Sequence, residues 1–201
     1  MRYEWSSGGY DYLQSAGMSP RNAAIAGYIQ TFGRKSRATG FRESEPYTIL
    51  DAACGLCPIM PFLPQDSMSR YIAFDNSQHV AEHIPYKALK CFEFYHLSFE
   101  DFFEDERFTV KSFDFVMYLG MYGGYDVYAE RLKRLLPYAK EDGYIILEAI
   151  EEHIDPVKEI MSQQYPDYEV AAACNIEIHN GAMSHLTRER FRSINLYYKL
   201  S

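Results

Sequence analysis

The sequence has no uninterrupted apolar run of 18 residues, and no basic segment followed by an apolar stretch near its start. A membrane-spanning helix and a secretory leader therefore find no support, and the expected location is the cytoplasm. Positive charge is also short: 20 Lys and Arg stand against 28 Asp and Glu, a formal net charge of -8. Binding a phosphate backbone needs the opposite balance on at least one face, so nucleic acid is not an expected partner. The basic clusters Arg34-Lys35-Arg37 and Arg188-Arg190-Arg192 read as solvated surface. Four cysteines in 201 residues are too few for a small secreted disulfide scaffold, which fits a reducing compartment. Internal repeats and low-complexity tracts are absent.

What is present suits one enzyme-sized domain. A chain of this length with 47% hydrophobic residues can bury one substantial core. Eighteen tyrosines exceed what core filling asks for, since a buried phenol needs a partner for its hydroxyl, so some rings are expected to line a ligand cavity.

Elements alternate along the chain. Ser19-Pro20 reads as an N-cap followed by proline at the first helical position, and Ile25, Tyr28, Ile29 and Phe32 keep helical period up to Gly33. "YTILDAA" is a first strand, "RYIAFD" a second ending on Asp75, "CFEFYHL" a third, "SFDFVMYLG" a fourth and "GYIILEAI" a fifth. Asn76 or Ser77 is placed to cap the helix after the second strand, and Pro85 interrupts that helix. A helical pattern runs from Asp126, with Tyr128, Leu132, Leu135 and Leu136 in phase, and another from about Asp155 to Gln164. "YEVAAACNIEI" and "INLYYKL" complete seven strands. Buried strands that alternate with helices predict an α/β fold with a parallel sheet covered on both faces. Ligands of such sheets settle beyond the carboxyl ends of the strands. The functional candidates are then the residues after each strand: 51–57, 75–77, 97–99, 118–122 and 148–153.

Taken in order, "ILDAACGLC", "YIAFDNS", "FYHLSFEDF", "SFDFVMYLGMYGGY" and "RLLPYAKEDGYIILEAI" resemble the motifs of class I S-adenosylmethionine-dependent methyltransferases, from about Tyr47 to Ile150. The resemblance implies a three-layer Rossmann-like sandwich, with a mostly parallel seven-stranded sheet whose last strand is antiparallel. It also implies a division into an N-terminal helical cap, residues 1–46, and a cofactor domain, residues 47–201. The cofactor would be S-adenosylmethionine, leaving as S-adenosylhomocysteine, with no metal. Acidic charge and aromatic content point to a small-molecule acceptor, and a homodimer is the allowed assembly.

By the same resemblance Asp51 holds the cofactor ammonium, directly or through water, while Ala53, Cys54 and Gly55 give close backbone contact. Asp75 accepts from the ribose hydroxyls and Asn76 flanks the adenine. Ser98 and Phe99 lie at the adenine edge, where Leu97 replaces the usual acid, and Tyr118 sits beside the sulfonium. Met121 and Tyr122 face the acceptor. Glu148, Glu151 and His153 follow the fifth strand and are placed to take a proton or fix a polar group of the acceptor; the catalytic set is Tyr122, Glu148 and His153. His179 and His185 lie in the loop that often covers the acceptor. "YEWSSGGYDYLQSAG" reads as a lid, with Tyr3, Trp5, Tyr10 and Tyr12 around Gly8-Gly9.

Besides Leu97, two further places depart from the family pattern: Cys57 stands where the first loop usually ends in glycine, and prolines follow at 58, 61 and 64. The Asp-Ala-Ala-Cys-Gly-Leu-x-Pro stretch is also similar to a subset of ribosomal RNA methyltransferases conferring aminoglycoside resistance, although the acidic balance opposes an RNA acceptor. Other readings stay open. "CGLCPIMPFL" resembles a thioredoxin-like redox loop, with Cys54 as nucleophile and Cys57 as resolving thiol. A zinc clip would recruit Cys54, Cys57, Cys91 and Cys174. A related fold transfers the aminocarboxypropyl group instead of methyl, and a cofactor-binding protein can lack catalysis.

Overall fold

A computed structural model describes residues 18–33, 46–119, 124–150, 153–177 and 191–200. The strands are β1 (Tyr47–Ala52), β2 (Met68–Asp75), β3 (Phe92–His96), β4 (Phe113–Leu119), β5 (Ala139–Ile150), β6 (Tyr168–Glu177) and β7 (Phe191–Lys199). The helices are α1 (Ser19–Phe32), α2 (Gln78–His83), α3 (Phe99–Glu104), α4 (Tyr125–Leu135) and α5 (Ile154–Gln164). All seven strands form one sheet in the order β3-β2-β1-β4-β5-β7-β6. The β1–β2, β1–β4, β2–β3 and β4–β5 pairs are parallel, and β7 is antiparallel to both its neighbours. The expected fold, including the antiparallel last strand, is therefore the one found. Strand order turns back at β1 and β4, the switch point at which such sheets bind ligands.

Side-chain alternation sorts the core into two layers. Ile49, Tyr71, Ala73, Met117, Ile146 and Ile194 face α1, packing with its Ile25 and Ile29. Leu50, Ile72, Val116, Tyr118 and Leu147 face the other way, with Phe102 of α3, Leu132 of α4 and Ile160 of α5. Asp51, Asp75, Glu148 and Arg192 fall in phase with the first set, so four charged residues share the α1 face.

Local details differ from the sequence reading. α1 starts one residue early: Met18 occupies the N-cap position and Ser19 is already helical. The helix stops where Gly33 permits it, because a Cβ there would meet the Ile29 carbonyl oxygen and the Tyr47 ring at 2.7 Å each. Ser77 stands at the N-cap position of α2, but its side chain makes no cap. Asp75 instead closes a turn ahead of the helix, its Oδ1 accepting from Ser77 N at 2.9 Å. β5 begins at Ala139, four residues before the expected glycine. Among the described residues, no helix is long and apolar enough to cross a membrane.

Candidate active site

The loop after β1 is folded tightly. Ala53, Gly55 and Cys57 adopt φ of 55°, 52° and 51°, three left-handed residues within five. Glycine takes this conformation freely, whereas for other residues it costs roughly 1–2 kcal/mol. Cys57 thus assumes the backbone shape that the family pattern assigns to glycine. The loop is pinned to β2 twice: Cys54 N donates to the Phe74 carbonyl at 3.0 Å, and Gly55 N donates to Asp75 Oδ2 at 3.0 Å. Asp75 therefore ties the loops after β1 and β2 together, one oxygen to each. Burial raises its pKa, opposed by the Ser77 and Gly55 amides.

Asp51 lies beside it, only 1% exposed. Tyr71 donates its hydroxyl to Asp51 Oδ2 at 2.6 Å. Burial pushes the Asp51 carboxyl up to about 7, against the Tyr71 hydrogen bond and the charge of Arg21, and the neighbouring Asp75 adds to the rise. Cys54 and Cys57 border the same group and are free thiols, both raised by burial, Cys57 to about 11. A redox nucleophile needs the reverse shift. With this topology, that excludes the thioredoxin-like reading. The zinc clip fails on geometry: Cys91 immediately precedes β3 and Cys174 lies in β6, the two opposite edges of the sheet, separated by six strand spacings of about 4.8 Å.

Two strands over from Asp51, Glu148 meets two arginines. Arg21 of α1 donates Nε to Oε1 at 2.8 Å and Nη2 to Oε2 at 2.6 Å, and Arg192 Nη1 lies 3.1 Å from Oε1. Arg21 also donates Nη1 to Asn22 Oδ1 at 2.8 Å. All three side chains are within 3% of full burial. Burial alone would raise the Glu148 carboxyl, but the Arg192 and Arg21 charges and hydrogen bonds outweigh it and hold it at about 2. At neutral pH it is an ionised anchor for α1 and a poor proton acceptor. Arg192, expected on the surface, is instead interior, because it lies in phase with Ile194 and Leu196. Sequence reasoning passes over Arg21 although it stands at i-4 and i-8 from Ile25 and Ile29, on the helix's apolar stripe.

The remaining candidates scatter. Ser98 closes a capping box on α3: its Oγ accepts from Asp101 N at 3.1 Å and donates to Asp101 Oδ2 at 2.7 Å, so its hydroxyl is already committed. The Ser-x-x-Asp spacing signals this in the sequence. The Phe99 ring is buried edge-on to Phe74 and Tyr118, with the Arg131 guanidinium 4.4 Å from its centroid. Tyr118 is fully buried on the face opposite Asp51, stacked on Tyr128 at 4.7 Å, its hydroxyl pushed up to about 12 by burial. The Asn76 carbonyl oxygen lies 3.1 Å from His96 Nε2. His153 occupies the N-cap position of α5. Tyr122, Met121, Glu151, His179, His185 and the lid segment lie outside the described residues. The structure thus gathers Asp51, Ala53, Cys54, Gly55 and Asp75 at the β1–β2 edge, sets Glu148 apart with its arginines, and turns the side chains of Phe99 and Tyr118 to the other face.

The architecture is the class I methyltransferase fold. A 1,6-didemethyltoxoflavin N1-methyltransferase from Burkholderia thailandensis, solved with 1,6-didemethyltoxoflavin and S-adenosylhomocysteine bound, superposes with a TM-score of 0.66 at 14% identity, over 96% of this chain and 83% of that one. A plantazolicin methyltransferase in complex with S-adenosylhomocysteine gives 0.62 at 13% identity, over 97% and 89%. An S-adenosylmethionine-dependent methyltransferase from Aquifex aeolicus gives 0.61 at 14%, over 96% and 99%. Neither a protein-family model nor a curated protein sequence matches the chain.

Proposed function

We propose that the chain is an S-adenosylmethionine-dependent methyltransferase acting on a small-molecule acceptor. One observation carries the reading. Two buried carboxylates, Asp51 and Asp75, lie at the carboxyl ends of the parallel neighbours β1 and β2, the first of them beside the switch point, and the small-residue loop after β1 is hydrogen-bonded to the second. The donor set suits that cofactor. Each Asp75 oxygen accepts one backbone N–H, leaving a lone pair on each for a ribose hydroxyl. Asp51 offers a carboxylate to an ammonium group, and the side chains of Ala53, Cys54 and Gly55 are small enough for close backbone approach.

When bound, S-adenosylmethionine supplies a methyl group on a sulfonium whose leaving group is a neutral thioether. The protein's part is then positional, since the acceptor lone pair must be held collinear with the methyl carbon. Asn76 and the backbone at Ser98 and Phe99 flank the adenine. The end of β4, with Tyr118 in the backbone path and Tyr122 beyond it, borders the acceptor. His153, just past β5, takes the acceptor proton where the nucleophile arrives protonated. Glu148 acts at one remove as a positioning residue, fixing α1 over the strand ends through Arg21. The net charge of -8 favours a small acceptor over RNA.

The test is calorimetry with S-adenosylhomocysteine, followed by product analysis with S-adenosylmethionine and candidate acceptors. Micromolar binding and release of S-adenosylhomocysteine are expected. No heat from well-folded protein overturns the reading, and release of methylthioadenosine instead would assign aminocarboxypropyl transfer.

A further inference from the structure

A cavity of about 460 Å³ lies between α5 and the β6–β7 hairpin, on the face of the sheet opposite Asp51 and Asp75. Its volume falls within the range of small-molecule sites. Tyr197 and Tyr168 give it aromatic walls, Met161 an adaptable apolar one, and Lys158 an ammonium. Ser193 and Asn195 of β7 line it at positions that elsewhere on this face are filled by Leu147, Val116 and Leu50. These two polar side chains are only 1% and 3% exposed.

Their hydrogen bonding is half complete. Asn195 donates Nδ2 to Ser193 Oγ at 3.1 Å, which fixes the amide and orients its carbonyl oxygen as a free acceptor. The Ser193 hydroxyl, having accepted that bond, keeps its proton to donate. Among the described residues neither side chain makes a further hydrogen bond to protein, and both line the cavity, so these two groups are open to a molecule bound there. An acceptor and a donor side by side, between apolar and aromatic walls, complement a planar group that carries N–H next to C=O.

We infer that this cavity is a second binding site, separate from the cofactor edge, for a small planar molecule that presents an amide or lactam edge. The ligand N–H donates to the Asn195 carbonyl oxygen, its C=O accepts from the Ser193 hydroxyl, and its ring lies against Tyr197 and Met161. The site stands independently of the proposed transfer reaction, because its lining comes from the far face of the sheet.

The probes are benzamide and thymine, with N,N-dimethylbenzamide, which lacks the N–H, as control; the reporter is the Met161 methyl resonance. Saturable shifts are expected with benzamide and thymine, at least tenfold weaker binding of the control, and loss of that preference in Asn195→Leu. Saturating S-adenosylhomocysteine should leave the titrations unchanged. Equal affinity for benzamide and its dimethyl analogue overturns the inference, as does the absence of any saturable shift or displacement by S-adenosylhomocysteine. Should Asn195→Leu fail to fold, the benzamide comparison on the unaltered protein decides alone. Benzamide binding in a protein that ignores S-adenosylhomocysteine would sink the transferase reading and leave this site standing.

Discussion

The two faces of the sheet are both buried, yet they are built from different chemistry. Under α1 an apolar layer is interrupted by Asp51, Tyr71, Asp75, Glu148 and Arg192, each held by a hydrogen bond or ion pair. On the other face the rings do the packing: Phe74 stacks on Phe102 at 4.2 Å, Phe102 on Phe108 at 4.6 Å and Tyr118 on Tyr128 at 4.7 Å. Fixed charge is costly to bury, so a fold concentrates it where a ligand will offset the desolvation. The α1 face should therefore govern binding, and the aromatic face stability. The largest effect expected from this division is at Asp75. Asp75→Ala removes the tie to Gly55 and the two acceptors proposed for the ribose, and at roughly 1.5–3 kcal/mol per charged hydrogen bond it should weaken S-adenosylhomocysteine at least a hundredfold by calorimetry. Unchanged affinity would break the comparison.

Next come two substitutions of similar size and different meaning. Phe102→Ala opens a cavity among stacked rings and should cost about 3–5 kcal/mol in urea unfolding, with cofactor affinity of the folded fraction unaltered. Arg21→Met leaves the Glu148 carboxylate with one of its two buried partners, and should cost about 3–5 kcal/mol as well. The two part company under compensation. Replacing Arg21, Glu148 and Arg192 together by Met, Leu and Leu should restore most of that stability, since a buried ion cluster gives little beyond an apolar one of equal volume. No second change rescues Phe102→Ala in this way.

Much of this is readable from the chain, for identifiable reasons. Strand existence follows from apolar runs bounded by turns, and Asp51 and Asp75 stand out because each comes at the end of such a run. The glycine-like conformation of Cys57 is not, because nothing in a cysteine side chain indicates a positive φ; the clue is only that glycine is missing there. Arg192 is easily misread because a cluster of arginines resembles surface, whereas its place two before Ile194 and four before Leu196 puts it on the inner face. Position after β3 assigns Ser98 to the adenine, while its spacing to Asp101 marks it as a helix cap. For Arg192 the period of the strand, and for Ser98 the spacing to Asp101, is a better guide than the type of residue.

A smaller effect sharpens the contrast through pH. The folded Asp51 carboxyl sits at about 7, above its unfolded value near 3.9, so between these values the folded chain keeps a proton that the unfolded chain releases. Stability contributed by this group is thus full below about pH 4 and falls as pH rises through 7. Cofactor binding runs the other way, because an ammonium partner requires the ionised form. Affinity for S-adenosylhomocysteine should rise up to tenfold per unit from about pH 5.5 and level off near 7. Glu148, at about 2, is silent over that range. Tyr71→Phe removes the hydrogen bond that favours the ionised Asp51 and should move the plateau upward. A flat profile from pH 5.5 to 7.5 would detach Asp51 from the ligand.

The smallest effect concerns the dithiol-like loop. Cys57 is wholly buried and its thiol is raised to about 11, so it acts as a small apolar filler whose backbone, not sulfur, matters to the site. Cys57→Ser keeps the volume and the left-handed backbone while adding a buried hydroxyl, at a cost of about 1–3 kcal/mol. S-adenosylhomocysteine affinity should stay within about threefold, and free-thiol titration of the unfolded protein should fall from four to three. If Cys57→Ser abolished binding while Asp75→Ala preserved it, the sulfur would be the working group and the carboxylates of the α1 face mere scaffolding. The geometry of the loop, with Asp75 Oδ2 reaching across to the Gly55 amide and both thiols pressed away from ionisation, argues for the opposite order.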